Sequence, residues 1–292
     1  EYACGLVVLD DGEALVSMGL QDISTVFVWA QQDHWATPAA PSLDLSTNRF
    51  TYCDGVIPTA PYAPTGTPTL CLNMIVKNES RIIERQLTTV APILDAYCIC
   101  DTGSTDDTVA RLPADFERAG IPGRVVQHPF VNFGHNRSVA LRAAQDLAEY
   151  TLLLDADMKL VIDQGFDKTQ LTKDVYTVEQ GSEAFSYRNV RLLRTSIGAT
   201  CVGATHEYYG YADTCSTGHL ETLRIADVGD GGCKANKFER DIRLLTADVE
   251  ADPGNGRAHF YLANSYKDTQ QWAKAVTHYT NCLLYTSPSP RD

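Results

Sequence analysis

Four apolar runs separated by helix-like segments limit most strongly what this chain can fold into. Runs that are apolar almost throughout are typical of strands buried on both faces of a parallel sheet. The predicted strands are Leu70–Val76, Tyr97–Cys100, Gly123–Gln127 and Tyr150–Leu154. The predicted helices are Ile82–Val90, a helix opened by a capping box at Ser104–Asp107, and Ser138–Ala148. Because the two kinds of segment alternate, we predict an α/β domain with a mainly parallel sheet and helices on both faces.

The rest of the sequence divides into segments of different character. Residues 1–57 hold short strand-like runs, such as Leu6–Leu9 and Thr25–Trp29, and no motif that indicates a function. Residues 58–68 contain four prolines and are predicted to form an extended linker. Residues 283–292 resemble a translated cloning adapter and are predicted to be a non-native tail. The predicted folded units are an unassigned, partial N-terminal segment at 1–57, an α/β domain at 69–235 and a helical unit at 236–282.

Residues 236–282 carry the spacing of amphipathic helices. One helix is predicted to end before Pro253, and a helical hairpin is predicted to follow it. The hairpin matches the spacing of a tetratricopeptide unit. The matching residues are Leu262, Ala263, Tyr266, Ala275, Tyr279 and Cys282, after which the helical pattern ends. Because such units stack to bury their faces, we expect this one to pack on the α/β domain or to belong to an array that binds a protein partner.

Charge and composition exclude several classes of protein. The formal net charge is −13 and no run of five basic residues occurs, so we expect no nucleic-acid partner. No stretch of eighteen apolar residues occurs, so we predict no transmembrane segment. Nine cysteines form no disulfide framework or CxxC metal site, and Cys98 and Cys100 lie in a predicted strand. We therefore predict a reducing, cytoplasmic location, and leave open a targeting signal ahead of Glu1.

Two carboxylates at the end of the fourth predicted strand form the sharpest motif. Asp155 and Asp157 follow the buried run Leu152–Leu154, so a turn there can bring both carboxylates toward one cation. Mg²⁺ and Mn²⁺ prefer such oxygen ligands and usually share them with substrate phosphates. An acidic turn that faces solvent is the alternative. The position after a buried strand favours a metal site, because ligands of open α/β sheets bind beyond the carboxyl ends of the strands.

Three further motifs lie at strand ends or at a helix start. Asp101 precedes a glycine turn, where a carboxylate suits recognition of a ribose or a base amide. Asn78 and Glu79 follow the first strand and can line a nucleotide pocket. Arg137 and the free amides at the start of its helix are expected to meet an anion. Each motif alone also has an ordinary interpretation, as a capped turn, a helix N-cap or a surface arginine.

In combination the four motifs resemble the inverting family 2 glycosyltransferases of the GT-A fold. One subgroup of that family carries the runs CMIVKNE, DTGSTDDT, FxxARN and LDAD, often with helical repeats after the catalytic domain. This chain reads CLNMIVKNES, CICDTGSTDDT, NFGHNRS and LLLDADM in the same order, with His135 where the family has a small residue. The resemblance covers about residues 69–282 and implies a GT-A domain followed by a tetratricopeptide-like unit.

The resemblance also implies roles for individual residues. The implied donor-binding residues are Asn78, Glu79 and Asp101 at the nucleoside, Asn136 and Arg137 at the diphosphate or sugar, and Asp155 at the ribose or the metal shell. The implied ligands of a Mn²⁺ or Mg²⁺ ion are Asp155, Asp157 and His206. The run Val202–Glu207 resembles the His-Glu pair of the family, without the tryptophan that usually precedes it. We predict Glu207 as the catalytic base, with His206 as a metal ligand or phosphate contact.

The implied reaction transfers a hexose from a nucleotide-diphosphate sugar to a hydroxyl of a glycan, a lipid-linked molecule or a protein, with inversion. A metal would stabilise the leaving diphosphate, and one base would take the proton of the attacking hydroxyl. The glycine-rich run Asp227–Lys234 is interpreted as a flap that closes over the diphosphate through Lys234 or Lys237, or as a simple loop. Two alternatives remain. One is an inactive interaction module, and the other is a nucleotidyltransferase, whose usual glycine-rich loop is missing at Ile75–Ser80.

Overall fold

The computed structural model describes residues 66–182, 185–231 and 237–285, and before them only the backbone of five short strands. The chain divides into two compact units, 1–65 and 66–292. In the first unit, three strands form one antiparallel sheet and two form another. These strands are β1 Cys4–Val8, β2 Ala14–Met18, β3 Val26–Trp29, β4 Ser42–Asp44 and β5 Arg49–Thr51.

The sequence predictions for the first unit are tested only in part. The strand-like runs Leu6–Leu9 and Thr25–Trp29 overlap β1 and β3. Most of the proline-rich segment 58–68 lies outside the described residues, so its linker role stays a prediction.

An eight-stranded sheet forms the centre of the second unit. Its strands are β6 Leu70–Val76, β7 Ala96–Asp101, β8 Gly123–Gln127, β9 Tyr150–Leu153, β10 Met158–Ile162, β11 Val175–Gly181, β12 Ser186–Arg194 and β15 Thr217–Asp227. Their order is β10-β15-β11-β12-β9-β6-β7-β8. Strands β9, β6, β7 and β8 run parallel, and so do β11 and β15. The other three pairings are antiparallel. A separate two-stranded ribbon consists of β13 Thr200–Val202 and β14 Tyr208–Gly210.

Helices cover both faces of the sheet because its central strands are apolar on both sides. These helices are α1 Ile83–Val90, α2 Thr108–Arg118 and α3 Phe133–Ala143. Successive side chains of a strand point to opposite faces. Leu72 and Met74 of β6 therefore join the cluster that contains the buried side chains of α1 and α2. Cys71 packs on the other face with Ala144, which directly follows α3. This arrangement confirms the predicted α/β class.

Two helices begin at residues other than those predicted. Helix α3 begins at Phe133, five residues early, because the side chain of Asn132 caps its first turn. Helix α2 begins at Thr108, and Ser104 does not cap it. The Ser104 hydroxyl instead accepts a hydrogen bond from the backbone N–H of Asn78 at 2.8 Å. The predicted capping box is therefore wrong, because a neighbouring loop occupies the capping hydroxyl.

Three helices follow the sheet, as predicted. They are α4 Lys237–Ala251, α5 Gly256–Asp268 and α6 Trp272–Tyr285. Helix α4 ends before Pro253, and α5 and α6 form the expected hairpin around a buried cluster that includes Leu245, Leu262 and Ala275. None of the helices in the described part of the chain is long and apolar enough to cross a membrane.

The end of the last helix differs from the prediction. The helical pattern was predicted to end at Cys282, whereas α6 continues to Tyr285. The ring of Tyr285 stacks on His259 of α5 with centroids 5.7 Å apart, and this contact supports the extra turn. Residues 286–292 of the predicted tail lie outside the described residues.

Candidate active site

The loops after β6 and β7 are joined to each other by side-chain hydrogen bonds. Asn78 Oδ1 accepts a hydrogen bond from Thr105 N at 2.7 Å. Asp106 Oδ2 accepts one from the Ser80 hydroxyl, also at 2.7 Å. Asp101, the last residue of β7, accepts from two amides of its own turn at 3.1 and 3.2 Å. Asn78 and Asp101 therefore shape the loops at this edge of the sheet, and their contact with a nucleoside stays a prediction.

Arg137 of α3 joins two predicted site residues that are far apart in the sequence. Its Nε donates to Glu207 Oε1 at 2.6 Å, and its Nη2 donates to Asp155 Oδ1 at 2.7 Å. The three side chains are only 12%, 17% and 29% exposed, in the order Arg137, Glu207 and Asp155. Charge-assisted hydrogen bonds of this length are strong, so the guanidinium fixes the orientation of both carboxylates.

The charges of this cluster stabilise one another. Burial works against ionisation of Arg137, but Asp155, Tyr209 and Glu207 together outweigh it, so the pKa of the guanidinium lies well above its ordinary value. Burial likewise raises the pKa of Asp155, whereas Arg137 and then Arg191 lower it, and the net shift is downward. We therefore describe the cluster as a partly buried ionic triad, in which one cation holds two anions.

Arg191 is a site residue that the sequence analysis missed. It lies on β12, is buried, and donates from Nε and Nη2 to Gln180 Oε1 at 2.9 and 2.7 Å. Gln180 Nε2 in turn donates to Asp227 Oδ1 at 2.8 Å. Through its positive charge Arg191 helps keep Asp155 ionised. The signal available in the sequence was an arginine within an otherwise apolar stretch of strand, at Val190–Leu193.

Asp157 and Glu79 face the same backbone segment. Gly231 N lies 3.4 Å from Asp157 Oδ2. A Cβ at Gly231 would lie 3.1 Å from that oxygen and 3.3 Å from Glu79 Oε1. Both distances are shorter than an ordinary van der Waals contact, so a side chain at Gly231 would press on both carboxylates. The two acidic side chains predicted for the metal and the nucleoside thus lie close together, under Gly231.

The segment that covers Asp157 is attached to helix α1. Val228 N donates to the backbone oxygen of Asp157 at 3.2 Å. Asp230 accepts two hydrogen bonds from Arg85, at 2.6 and 2.7 Å. Of the predicted flap Asp227–Lys234, residues 232–236 lie outside the described residues, Lys234 among them. Lys237 is an exposed residue at the start of α4.

The carboxylates of this edge fit a divalent cation that is shared with a substrate. Within the described ranges, no group of three or more His, Cys, Asp or Glu side chains could hold a metal ion by itself. Mg²⁺-type sites on phosphate substrates commonly need only one or two protein carboxylates. The proximity of Asp157 and Glu79 to one point provides that number of oxygen ligands. The ligand set Asp155, Asp157 and His206 stays a prediction.

The start of α3 does not offer free amides to an anion, so this part of the prediction is wrong, whereas the anion contact of Arg137 stays a prediction. Phe133 N donates to Ala204 O at 3.0 Å and Gly134 N to Gly203 O at 3.1 Å. The next two amides of the helix donate to the side chain and the backbone of Asn132. The first four amides are therefore all occupied, because the chain after β13 packs directly onto this helix end.

Asn136 has contacts within its own loop. Its Oδ1 accepts from Val131 N at 2.9 Å, and its Nδ2 donates to Pro129 O at 3.0 Å. The residue is fully buried. The amide therefore supports the loop before α3, and the contact with a diphosphate or donor sugar that the resemblance implies stays a prediction.

The contact between α3 and the segment that carries Glu207 needs a glycine. A Cβ at Gly134 would lie only 2.4 Å from Gly203 O and 3.0 Å from Cys201 O. We expect Gly134→Ala to lower the free energy of unfolding by about 1–3 kcal/mol, because the two backbones must separate. Urea denaturation measures this loss. Gly165→Ala is the control, since a Cβ there would lie 3.5 Å from Thr222 Cγ2, an ordinary contact. Equal stability of both variants would contradict the close approach.

His206 lies against the helical unit. Its ring stacks on Tyr261 of α5 with centroids 4.3 Å apart and an interplanar angle of 6°. Burial lowers the pKa of His206, and neighbouring Asp241 only partly opposes that effect. Its backbone has a φ of 52°, in the left-handed region. The predicted role of His206 as a metal ligand or phosphate contact is not tested by these contacts.

Searches against known proteins give similarities of structure only. No family profile matches the sequence. No curated protein matches it either. Among solved structures, S. aureus TarS 1-349 matches with a TM-score of 0.43 and 13% identity over 73% of this chain and 80% of that chain. The mannosyltransferase PcManGT from Pyrobaculum calidifontis, in complex with GDP-Man and Mn²⁺, matches with a TM-score of 0.39 and 17% identity over 79% and 80%.

A third similar structure is GalNAc-T7 with UDP, GalNAc and Mn²⁺. It matches with a TM-score of 0.42 and 9% identity, over 76% of this chain and 57% of that chain. Scores and identities of this size carry no argument about this chain. The chemistry of this chain therefore has to be argued from its own residues.

Proposed function

We propose that the second unit is a glycosyltransferase, which moves a sugar from a nucleotide-diphosphate donor to an acceptor hydroxyl with the help of a divalent metal. The observation that carries this proposal is the meeting of Arg137, Asp155 and Glu207 in one ionic triad at the end of β9. Asp157 and Glu79 lie at the same edge of the sheet. Ligands of open α/β sheets bind at this edge.

Asp157, with Glu79 or Asp155 beside it, is the residue we propose as the metal ligand. A bound Mn²⁺ or Mg²⁺ would stabilise the negative charge of the departing diphosphate. The acidic pair under Gly231 supports a cation there, because both carboxylates approach one point and supply the oxygen ligands that hard cations prefer. Asn78, Glu79 and Asp101 are proposed for the nucleoside, and Asn136 and Arg137 for the diphosphate or sugar.

Glu207 is the base that we propose for the acceptor hydroxyl. An inverting transfer needs one base on the face opposite the leaving group. Arg137 binds Glu207 and Asp155 simultaneously, so the predicted base has a fixed position relative to the metal motif. This fixed geometry is what direct displacement at the anomeric carbon requires.

The proposed domain organisation follows from the same assignment. Residues 69–235 form the GT-A domain of the proposal, and residues 236–282 form an appended tetratricopeptide-like unit. The hairpin of α5 and α6 around Leu262 and Ala275 supports the second assignment. The acceptor is proposed to be a glycan, a lipid-linked molecule or a protein.

The direct test is a thermal-shift panel with UDP-glucose, UDP-GlcNAc, GDP-mannose and dTDP-glucose, each with Mn²⁺ and again with EDTA. Ligands that bind only the folded state raise the midpoint of unfolding. We expect one nucleotide class to raise it and EDTA to abolish the effect. Absence of any shift, together with absence of metal-dependent donor hydrolysis, would favour the interaction module instead.

Asp157→Asn tests the metal assignment separately. We expect the apparent affinity for the selected donor in Mn²⁺ to fall at least about a hundredfold, because an amide is a poor ligand for a hard cation. Titration of the donor by calorimetry, with and without Mn²⁺, measures the loss. Asp163→Asn, at an exposed carboxylate paired with Arg224, is the control. Equal Mn²⁺ dependence in wild type and Asp157→Asn would rule out this ligand.

A further inference from the structure

The segment that carries Glu207 is held by the helical unit as well as by the sheet. Asp248 of α4 accepts a hydrogen bond from Ala204 N at 3.0 Å. Arg257 of α5 donates from Nη2 to the backbone oxygen of His206 at 2.7 Å. Two different helices therefore bind the backbone of the segment just before the predicted base.

Aromatic contacts extend this attachment to both neighbours of Glu207. The His206 ring lies nearly parallel to that of Tyr261, with centroids 4.3 Å apart. The guanidinium of Arg257 lies over the Tyr208 ring at 5.0 Å and over the Tyr261 ring at 4.9 Å. Cation–π contacts at such distances are attractive. Arg257 thus contacts the residues immediately before and after Glu207.

The backbone of this segment needs such external support. His206 has a φ of 52°, which is a left-handed conformation. For a residue that has a Cβ this conformation is unfavourable, and it persists only when surrounding contacts hold it. A change of this angle would rotate the chain at Glu207 and alter the distance between its carboxylate and Arg137, which is now 2.6 Å from Nε to Oε1.

We propose that α4 and α5 act as an intramolecular clamp that positions Glu207, so that the helical unit serves the reaction directly. This inference rests on the proposed function in one respect, the role of Glu207 as the base. Arg257, Tyr261 and Asp248 are positioning residues in this proposal, because they act through the segment 204–208. Misplacement of a catalytic group by about 1 Å can slow a reaction roughly a hundredfold.

Arg257→Ala is the sharpest test, because Arg257 is exposed and its removal does not open the core. We expect kcat for the donor selected by the panel to fall about tenfold to a hundredfold, whereas KM for the donor stays within about twofold. Hydrogen exchange of the full chain provides a readout without activity, and we expect faster exchange at Ala204 and its neighbours. Arg243→Ala, at an exposed arginine of α4, is the matched control.

Two further variants separate positioning from folding. Tyr261→Phe keeps the ring and should retain the wild-type kcat, while Tyr261→Ala should resemble Arg257→Ala. Wild-type exchange and wild-type kcat in Arg257→Ala would overturn the clamp. If Arg257→Ala exchanged faster than the wild type, but the wild type bound and hydrolysed no nucleotide sugar, the attachment would be supported and the proposed function refuted. The two failures can therefore be distinguished.

Discussion

Arg137→Met is expected to lower the free energy of unfolding by about 3–5 kcal/mol at pH 7, the cost of removing one partner from a buried ion pair. The guanidinium holds Asp155 and Glu207, and all three side chains are mostly buried. Without it, both carboxylates lose this partner, and Arg191 remains as a positive charge that favours ionised Asp155. Urea denaturation measures the loss. Arg142→Met, at an exposed position of the same helix, is the control.

The pH dependence of this loss provides a second signature. In the wild type, folding lowers the pKa of Asp155 below its value in the unfolded chain, which is about 4. Asp155 therefore stabilises the folded state at pH values above about 4. This stabilisation is lost as the pH falls through the pKa of the folded state. In Arg137→Met, burial would instead raise the pKa of Asp155, and protonation would favour the folded state. The difference between the two proteins should therefore be largest at neutral pH and shrink toward pH 4. A difference independent of pH would contradict the ionic triad.

Glu207→Gln is expected to reduce kcat by about 10²–10⁴-fold, the usual contribution of a general base. A glutamine retains the shape of the side chain and an oxygen that accepts the hydrogen bond of Arg137. Donor affinity should therefore change little, and stability should fall by less than in Arg137→Met because Asp155 still compensates the guanidinium. The group that takes the proton is lost. Initial rates of sugar transfer, together with donor titration, measure the two effects separately.

Glu221→Gln, at an exposed strand position, controls for a general effect of removing a carboxylate. If Glu207→Gln bound the donor normally and kept nearly normal turnover, the base would have to be another group. The ionic triad would then have a structural role only, and the assignment of metal ligands would still stand on the separate test at Asp157.

Four of the eight strands of the large sheet, β6 to β9, and most helices of the second unit could be predicted because their signal is local, whereas β10, β11, β12 and β15 were not predicted. The run Leu70–Val76 is apolar on both faces, and this property alone requires helices above and below it. The first residues of the helices were predicted less accurately, because a group that could cap a helix can instead form a hydrogen bond with another part of the chain. Ser104 is bound by Asn78 N, and the amides of Phe133 and Gly134 are bound by the segment after β13.

The candidate site likewise contains some residues that the sequence identified and others that only the structure identified. Asp155, Asp157 and Glu207 could be selected from motifs, because each lies in a recognisable run of sequence. Their partners could not be selected. Arg191 is separated from Asp155 by the strands β10 and β11 and their loops, and Arg257 belongs to a helix of the appended unit. No periodicity connects positions so far apart, because the contacts exist only after β12 and α5 have packed.

The sequence by itself determined the α/β class, the order of strands and helices from β6 to β9, the three helices after the sheet, and the acidic positions at the end of β9. The spacing of apolar residues and the type of each residue are visible in a short stretch of sequence, so these features could be predicted without knowledge of the fold. Only the tertiary structure decided that Arg137 lies between Asp155 and Glu207, that Gly231 covers Asp157 and Glu79, and that the helical unit holds the chain beside Glu207. These contacts join residues that are distant in the chain, and such residues come within hydrogen-bonding distance only when the helices and strands that carry them pack together.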